Sequence, residues 1–179
     1  GQTVVILGRS GVGKSVLLRQ IIGIETPDSG TIEIEGQNLI TLPRREKHKI
    51  TKQMGMLFQG SALFDSMTVG DNVAFYLRQH EMNLSDEDLR HRVQEALDMV
   101  GLSGTEEKMP SDLSGGMRKR AALARVIAYK PKIILYDEPT TGLDPITSMQ
   151  INNLIIATKK QLQATSIVVT HDLKSAWTV

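Results

Sequence analysis

The chain has 179 residues, a formal net charge of +1 and no cysteine. That length suits one domain with a real core. The near-neutral balance gives no hint of a nucleic-acid partner, and the missing thiols exclude disulfides and thiolate metal sites. No apolar run approaches the roughly 18 residues needed to span a bilayer. The chain enters on an apolar strand pattern at Thr3 and stops at Val179 inside a helical one, which reads as a piece of a longer polypeptide.

The first element, Thr3–Leu7 (TVVIL), reads as a buried strand and runs straight into Gly8-Arg9-Ser10-Gly11-Val12-Gly13-Lys14-Ser15. This is G-x-x-x-x-G-K-[ST], a phosphate-binding loop for a nucleoside triphosphate with Mg²⁺. Its glycines let the backbone curl so that successive amides face the β-phosphate. Lys14 brings a point charge to the β- and γ-phosphates, the Ser15 hydroxyl suits Mg²⁺, and the helix starting near Gly13 turns its positive end to the same place. A glycine-rich turn that binds nothing would not need Lys and Ser in this register.

Thr31–Glu35 alternates as a half-buried antiparallel strand turned by Gly36, and the basic run Arg44 to Lys52 reads as a solvated helix face. A second buried strand, Met54–Phe58, ends at Gln59. Thr68 and Asp71, then Ser85 and Asp88, mark two helix starts, the second helix stopping at Gly101. Leu113-Ser114-Gly115-Gly116-Met117 opens a long helix through Ala128. A small hydroxyl and two glycines at a helix start form an anion-binding nest, or simply an N-cap with clearance. Ile133–Tyr136 ends in the paired acids Asp137 and Glu138, and Ser166–Thr170 ends at His171. Neighbouring strand residues face opposite ways, so Asp137 fits a metal role and Glu138 the activation of a water. In open α/β sheets ligands sit beyond the carboxyl ends of the strands, so all four strand endings are expected to converge on one crevice. A lone His after a strand is otherwise an ordinary surface residue.

Together these give an α/β P-loop nucleoside-triphosphatase core with a mostly parallel sheet, an antiparallel β element and a helical insertion. The expected division is a core of 1–60 and 126–179 and a helical subdomain of 61–125.

The ordered set of phosphate loop, Gln59, LSGGM, ILYDEP, Gly142-Leu143-Asp144 and His171 resembles the ATP-binding-cassette (ABC) ATPases along essentially the whole chain. The resemblance implies ATP hydrolysis by two domains paired head to tail, each ATP lying between one phosphate loop and the partner's Ser114–Gly116 nest. It assigns Gln59 to Mg²⁺ and the lytic water, His171 to the γ-phosphate, and Asp144 to a link across the dimer. Met117 stands where the family commonly has Gln, which removes one amide donor and leaves the Ser114 hydroxyl and two backbone amides. The aromatic residue on which the family stacks adenine lies upstream of the loop, so no residue of this chain is nominated for it.

The segments Phe58–Val69 and Met109–Met117, with Arg118-Lys119-Arg120-Ala121-Ala122-Leu123-Ala124-Arg125, look like the Mla/Mce-type lipid-transport ATPases. That implies a transmembrane permease, a lipid-binding substrate protein, in some members a small accessory subunit, and a peripheral place on the cytoplasmic face of the inner membrane. Ala62-Leu63-Phe64 reads either as a docking surface for the permease or as core packing. The competing reading is a soluble ABC ATPase acting on DNA or ribosomes. No coiled-coil insertion lies between Gln59 and Ser114, and no zinc-binding cysteines occur. A cassette without turnover is opposed by the presence of Lys14, Asp137, Glu138 and His171.

Overall fold

A computed structural model describes residues 1–81 and 83–179. Four strands, β1 (Thr3–Leu7), β4 (Met54–Leu57), β5 (Ile133–Asp137) and β6 (Thr165–Thr170), form a parallel sheet in the order β1-β6-β5-β4. Every pairing within it is parallel, so all four carboxyl ends lie along one edge. Strands β4 and β5 are almost wholly apolar because both their faces are covered, whereas Val4 and Leu7 of the edge strand β1 are exposed. On one face Leu57, Ile134, Tyr136 and Val168 join the larger core, and on the other Met54, Met56, Leu135 and Val169 close over Leu18 of α1 (Lys14–Ile21).

The strand bounds depart from expectation by a residue at several ends. β4 stops at Leu57 rather than Phe58, β5 runs on to Asp137, and β6 starts at Thr165. The antiparallel element is shorter than Thr31–Glu35: β2 (Glu33–Ile34) pairs with β3 (Gln37–Asn38). The two residues between, Glu35 (φ 51°) and Gly36 (φ 75°), are both left-handed. Paired positive φ values make the tight hairpin turn whose twist matches that of the strands.

The basic run forms α2 (Arg44–Thr51), which buries only Ile50 and leaves most of its charges in solvent. Helices α3 (Val69–His80) and α4 (Asp86–Met99) start at Thr68 and Ser85, whose hydroxyls accept from the amides of Asp71 and Asp88. Gly101, at φ 67°, follows the end of α4. After a single 3-10 turn at Pro110–Asp112 comes α5 (Gly115–Ile127), which packs on α3 and α4 and also on β4 and α6. The long α6 (Pro145–Leu162) starts at Asp144, and α7 (Leu173–Thr178) starts at Asp172 and lies against β1 and β6.

Asn72 locks the entry to α3 and has no sequence signal of its own. Fully buried, it accepts from Phe64 N at 2.7 Å and donates to the carbonyls of Phe64, Met67 and Thr68 at 3.0–3.2 Å. The loop after β4 therefore closes its hydrogen bonds on one side chain. Asn72→Ala leaves several buried backbone groups without partners, each worth about 1–3 kcal/mol. A clear fall in thermal midpoint is expected; an unchanged midpoint would contradict this role.

Candidate nucleotide site

The loop from Gly8 to Gly13 leaves β1 and turns through two left-handed glycines, Gly11 (φ 83°) and Gly13 (φ 98°). Gly13 is the N-cap of α1 and supplies no side-chain cap, so the first amides of the helix point out without a capping partner. Such a helix start is suited to an anion. The Lys14 side chain curls back along the loop and is buried. Its ammonium donates to Gly8 O at 2.7 Å and Arg9 O at 3.0 Å and lies 3.1 Å from Glu138 Oε1.

Ser15 Oγ donates to Asp137 Oδ1 at 2.6 Å, so a hydroxyl and a carboxylate meet at the base of the site. Two hard oxygen donors, with room for waters and phosphate oxygens, suit Mg²⁺. Among the described residues no group of three or more His, Cys, Asp or Glu gathers for another metal.

β5 ends at Asp137, and Glu138 takes a left-handed φ of 47° while its amide still donates to Val169 O at 3.0 Å. Strand alternation is therefore not what separates the two acids: the left-handed turn aims Glu138. A non-glycine residue in that region carries strain of the kind that gathers at functional positions. Its carboxylate receives Thr141 Oγ1 at 3.1 Å, and His171 Nδ1 stands 2.8 Å from Oε2. His171 is thus set against Glu138, a contact its position in the chain did not announce.

Ser10, Gly11, Gly13, Lys14, Ser15, Gln59, Glu138, Thr141 and His171 line one cleft of about 270 Å³. The strand endings converge at it. Ser114, Gly115, Gly116 and Asp144 do not line it. Ser114 is the N-cap of α5, its hydroxyl accepting from Met117 N at 3.3 Å, and Asp144 caps α6 by accepting from the amides of Ile146 and Thr147 at 3.0 Å. Both are exposed. Gly116 sits so close to α6 that a Cβ there would lie 2.5 Å from Thr147 Cγ2.

Two contributors escaped the sequence reading. Thr141 lies one turn after Glu138. Lys119 is 4% exposed and donates to the Gln59 carbonyl. Its spacing from Leu123 and Val126 puts it on the apolar stripe of α5, a signal that helical periodicity carries. Burial pulls its ammonium below the ordinary range, with Asp137 and Glu138 acting the other way.

Ala62-Leu63-Phe64 divides between its two readings. Leu63 packs on the larger core, whereas Ala62 and Phe64 line an apolar groove of about 530 Å³ floored by Met54, Met56 and Phe58.

Burial works to raise the Glu138 carboxyl, but hydrogen bonds from Lys14, His171 and Thr141 outweigh it and hold the group below the ordinary carboxylate range. A depressed value in the folded state means stability that is present above the unfolded value, about 4.3, and lost as the pH falls through the lower folded one. The stability difference between wild type and Glu138→Gln, followed by urea unfolding from pH 7 to 3, is therefore expected to change in that acid window. A difference independent of pH would contradict the assignment.

The chain matches the ABC transporter family over residues 1–141. It is 45% identical over its full length to the probable ribonucleotide transport ATP-binding protein mkl of Mycobacterium leprae, of which it covers 51%. It is equally similar, over 179 residues, to the intermembrane phospholipid transport system ATP-binding protein MlaF of Haemophilus influenzae, covering 67% of it. With Escherichia coli K12 MlaF the identity is 46% over 97% of the chain and 64% of the relative. The chain thus spans between half and two thirds of the length of these curated relatives. Among solved structures, the dimeric post-hydrolysis state of the cassette MJ0796, bound to ADP and Pi, superposes with a TM-score of 0.89 at 34% identity, covering 99% of this chain and 78% of that one. For cbiO1 of Clostridium perfringens, part of the ABC transporter complex cbiONQ, the TM-score is 0.84 at 35% identity, over 96% and 67%. With the phosphate loop, Glu138 and His171 gathered at one cleft of this fold, the chain belongs to the ABC transporter family.

Proposed function

We propose that this chain is the ATP-hydrolysing part of a membrane transport system that moves phospholipid or another lipid between membranes. The observation that carries hydrolysis is Glu138, aimed by a left-handed turn into the cleft that the phosphate loop closes, in contact with Lys14 and His171. A triphosphate offers Lys14 anionic oxygens in place of the two carbonyls and the carboxylate it now touches. Glu138, released from the ammonium, then accepts a proton from a water attacking the γ-phosphorus. The bond to the β–γ bridging oxygen breaks, leaving ADP and inorganic phosphate. Ser15 and Asp137, with the Gln59 amide, would hold Mg²⁺, which supplies charge neutralisation at the β- and γ-oxygens. His171 orients the Glu138 carboxylate and stands beside the γ-phosphate position.

The nest at Ser114–Gly116, exposed at Ser114 and Gly115, lies outside the cleft, which supports a head-to-tail pair in which each nest closes the other copy's site. Asp144, exposed at the start of α6, would join the two sites. The dimeric state named for the cassette MJ0796 supports the same arrangement. In this reading residues 61–125 act as a helical subdomain on a core of 1–60 and 126–179. The groove lined by Ala62 and Phe64 takes a transmembrane permease, which holds the chain peripherally at the cytoplasmic face of the inner membrane. No helix among the described residues is long and apolar enough to cross a membrane itself. A lipid-binding substrate protein and a small accessory subunit complete the assembly.

The name of the MlaF relatives supports a phospholipid cargo, and that of the mycobacterial relatives a ribonucleotide. Mass spectrometry of the assembled complex is expected to find copurifying phospholipid; nucleotide cargo without lipid would overturn this choice. For the chemistry, Glu138→Gln should retain ATP binding and slow single-turnover hydrolysis by about 10²- to 10⁴-fold, the usual worth of a positioned base. Near-normal turnover would remove Glu138 from its role. Adding Ser114→Arg should abolish the ATP-dependent dimer of that variant, and a dimer that persists would refute the composite site.

A further inference from the structure

Helix α5 reaches the loop after β4 with two cations. Lys119 donates its ammonium to the Gln59 carbonyl, its one hydrogen-bond acceptor among the described residues. Arg125, six residues on, donates from Nη1 to Ala62 O at 2.6 Å and from Nη2 to Ser61 O at 3.1 Å. The loop they hold runs through two consecutive left-handed residues, neither a glycine: Ser61 (φ 66°) and Ala62 (φ 50°). A backbone of that kind persists only where its surroundings over-determine it. Here the surroundings are charge-assisted bonds to its outward carbonyls.

Packing alone does not account for Lys119. An apolar side chain would fill a place on the buried stripe of α5 without desolvating an ammonium. The single carbonyl it satisfies belongs to Gln59, a residue that lines the phosphate cleft. The same helix begins at the Ser114–Gly116 nest, and at 1.5 Å per residue Lys119 lies only about 6 Å along the axis from Gly115. A rigid α5 therefore joins the nest to the Gln59 loop.

We propose that Lys119 is a positioning residue for Gln59: with Arg125 on the following carbonyls, it ties the Gln59–Ala62 loop to α5, so that engagement of the nest sets where the Gln59 amide stands in the cleft. This rests on the ATP reading of the site. It makes Gln59 answer to the partner copy's nucleotide as well as to its own.

The test uses the full-length protein with Lys119→Met, Lys119→Arg, Gln59→Ala and the Lys119→Met/Gln59→Ala pair. Lys119→Met is expected to speed hydrogen exchange in peptides covering 57–63, where the Ser61 amide donates to Phe58 O at 3.0 Å, while α5 stays protected. It should lower kcat by about tenfold or more with KM for ATP nearly unchanged, and Lys119→Arg should restore most of the loss. In the Gln59→Ala background Lys119→Met should cost nothing further, because the two residues act as one unit. Unchanged exchange in 57–63, exchange raised equally along α5, or kcat losses that multiply would each overturn the proposal. If Lys119→Met does not fold, Lys119→Leu, which also lacks a donor, carries the same comparison. A wild type without ATPase activity would sink the proposed function, and the exchange data would still decide whether Lys119 holds the loop.

Discussion

The parallel pairing of β1, β6, β5 and β4 is the constraint from which everything else in this molecule follows. Hydrogen bonding in one direction puts the carboxyl ends of strands far apart in sequence along a single edge. The register brings Leu7 level with Thr170, and Asp137 level with Val169. Lys14 and Glu138, 124 positions apart in the chain, thereby come within 3.1 Å. Each charge taken from water needs partners: Lys14 has Glu138 and the Gly8 and Arg9 carbonyls, and Glu138 has Lys14, Thr141 and His171. The ion pair is thus a product of the sheet, and it pre-shapes the place where a triphosphate would compete for the lysine.

Backbone conformation does as much at this edge as side-chain identity. Gly11 and Gly13 open the phosphate loop, and the strained turn at Glu138 sends that carboxylate toward the loop rather than along the strand direction. Ser61 and Ala62 bend the Gln59 loop in the same left-handed way, held from behind by α5. Three loops at one sheet edge therefore depend on left-handed residues, and in two of those loops the left-handed residues are not glycines. Their geometry is kept by hydrogen bonds from neighbouring elements, which makes the cleft responsive to movements of those elements.

The fold was largely legible from the sequence because its signals are local. Continuous apolar runs named the four strands, and Thr68, Ser85 and Ser114 named helix starts that the structure places at those residues. The phosphate loop, Gln59, the paired acids and His171 are expected at one crevice because each follows an apolar strand, and ligands of open α/β sheets sit beyond the carboxyl ends of the strands. What stayed hidden depends on contacts between distant segments. No spacing reveals that His171 would meet Glu138, that Asn72 would gather the carbonyls of the preceding loop, or that Arg125 would grip Ser61 and Ala62. The short β2–β3 hairpin was overestimated because alternation persists past the residues that pair. Lys119 was the one hidden residue with a readable mark, a cation on an apolar helical stripe.

Lys14 has two roles open to it, gripping a nucleotide or merely neutralising Glu138. Titration calorimetry of ATP into the full-length protein, with and without Mg²⁺, for wild type and Lys14→Ala, separates the two most directly. Saturable uptake in the wild type, strengthened by the divalent ion and lost in Lys14→Ala, is the result predicted. Uptake absent from the wild type, or undiminished in Lys14→Ala, would contradict it.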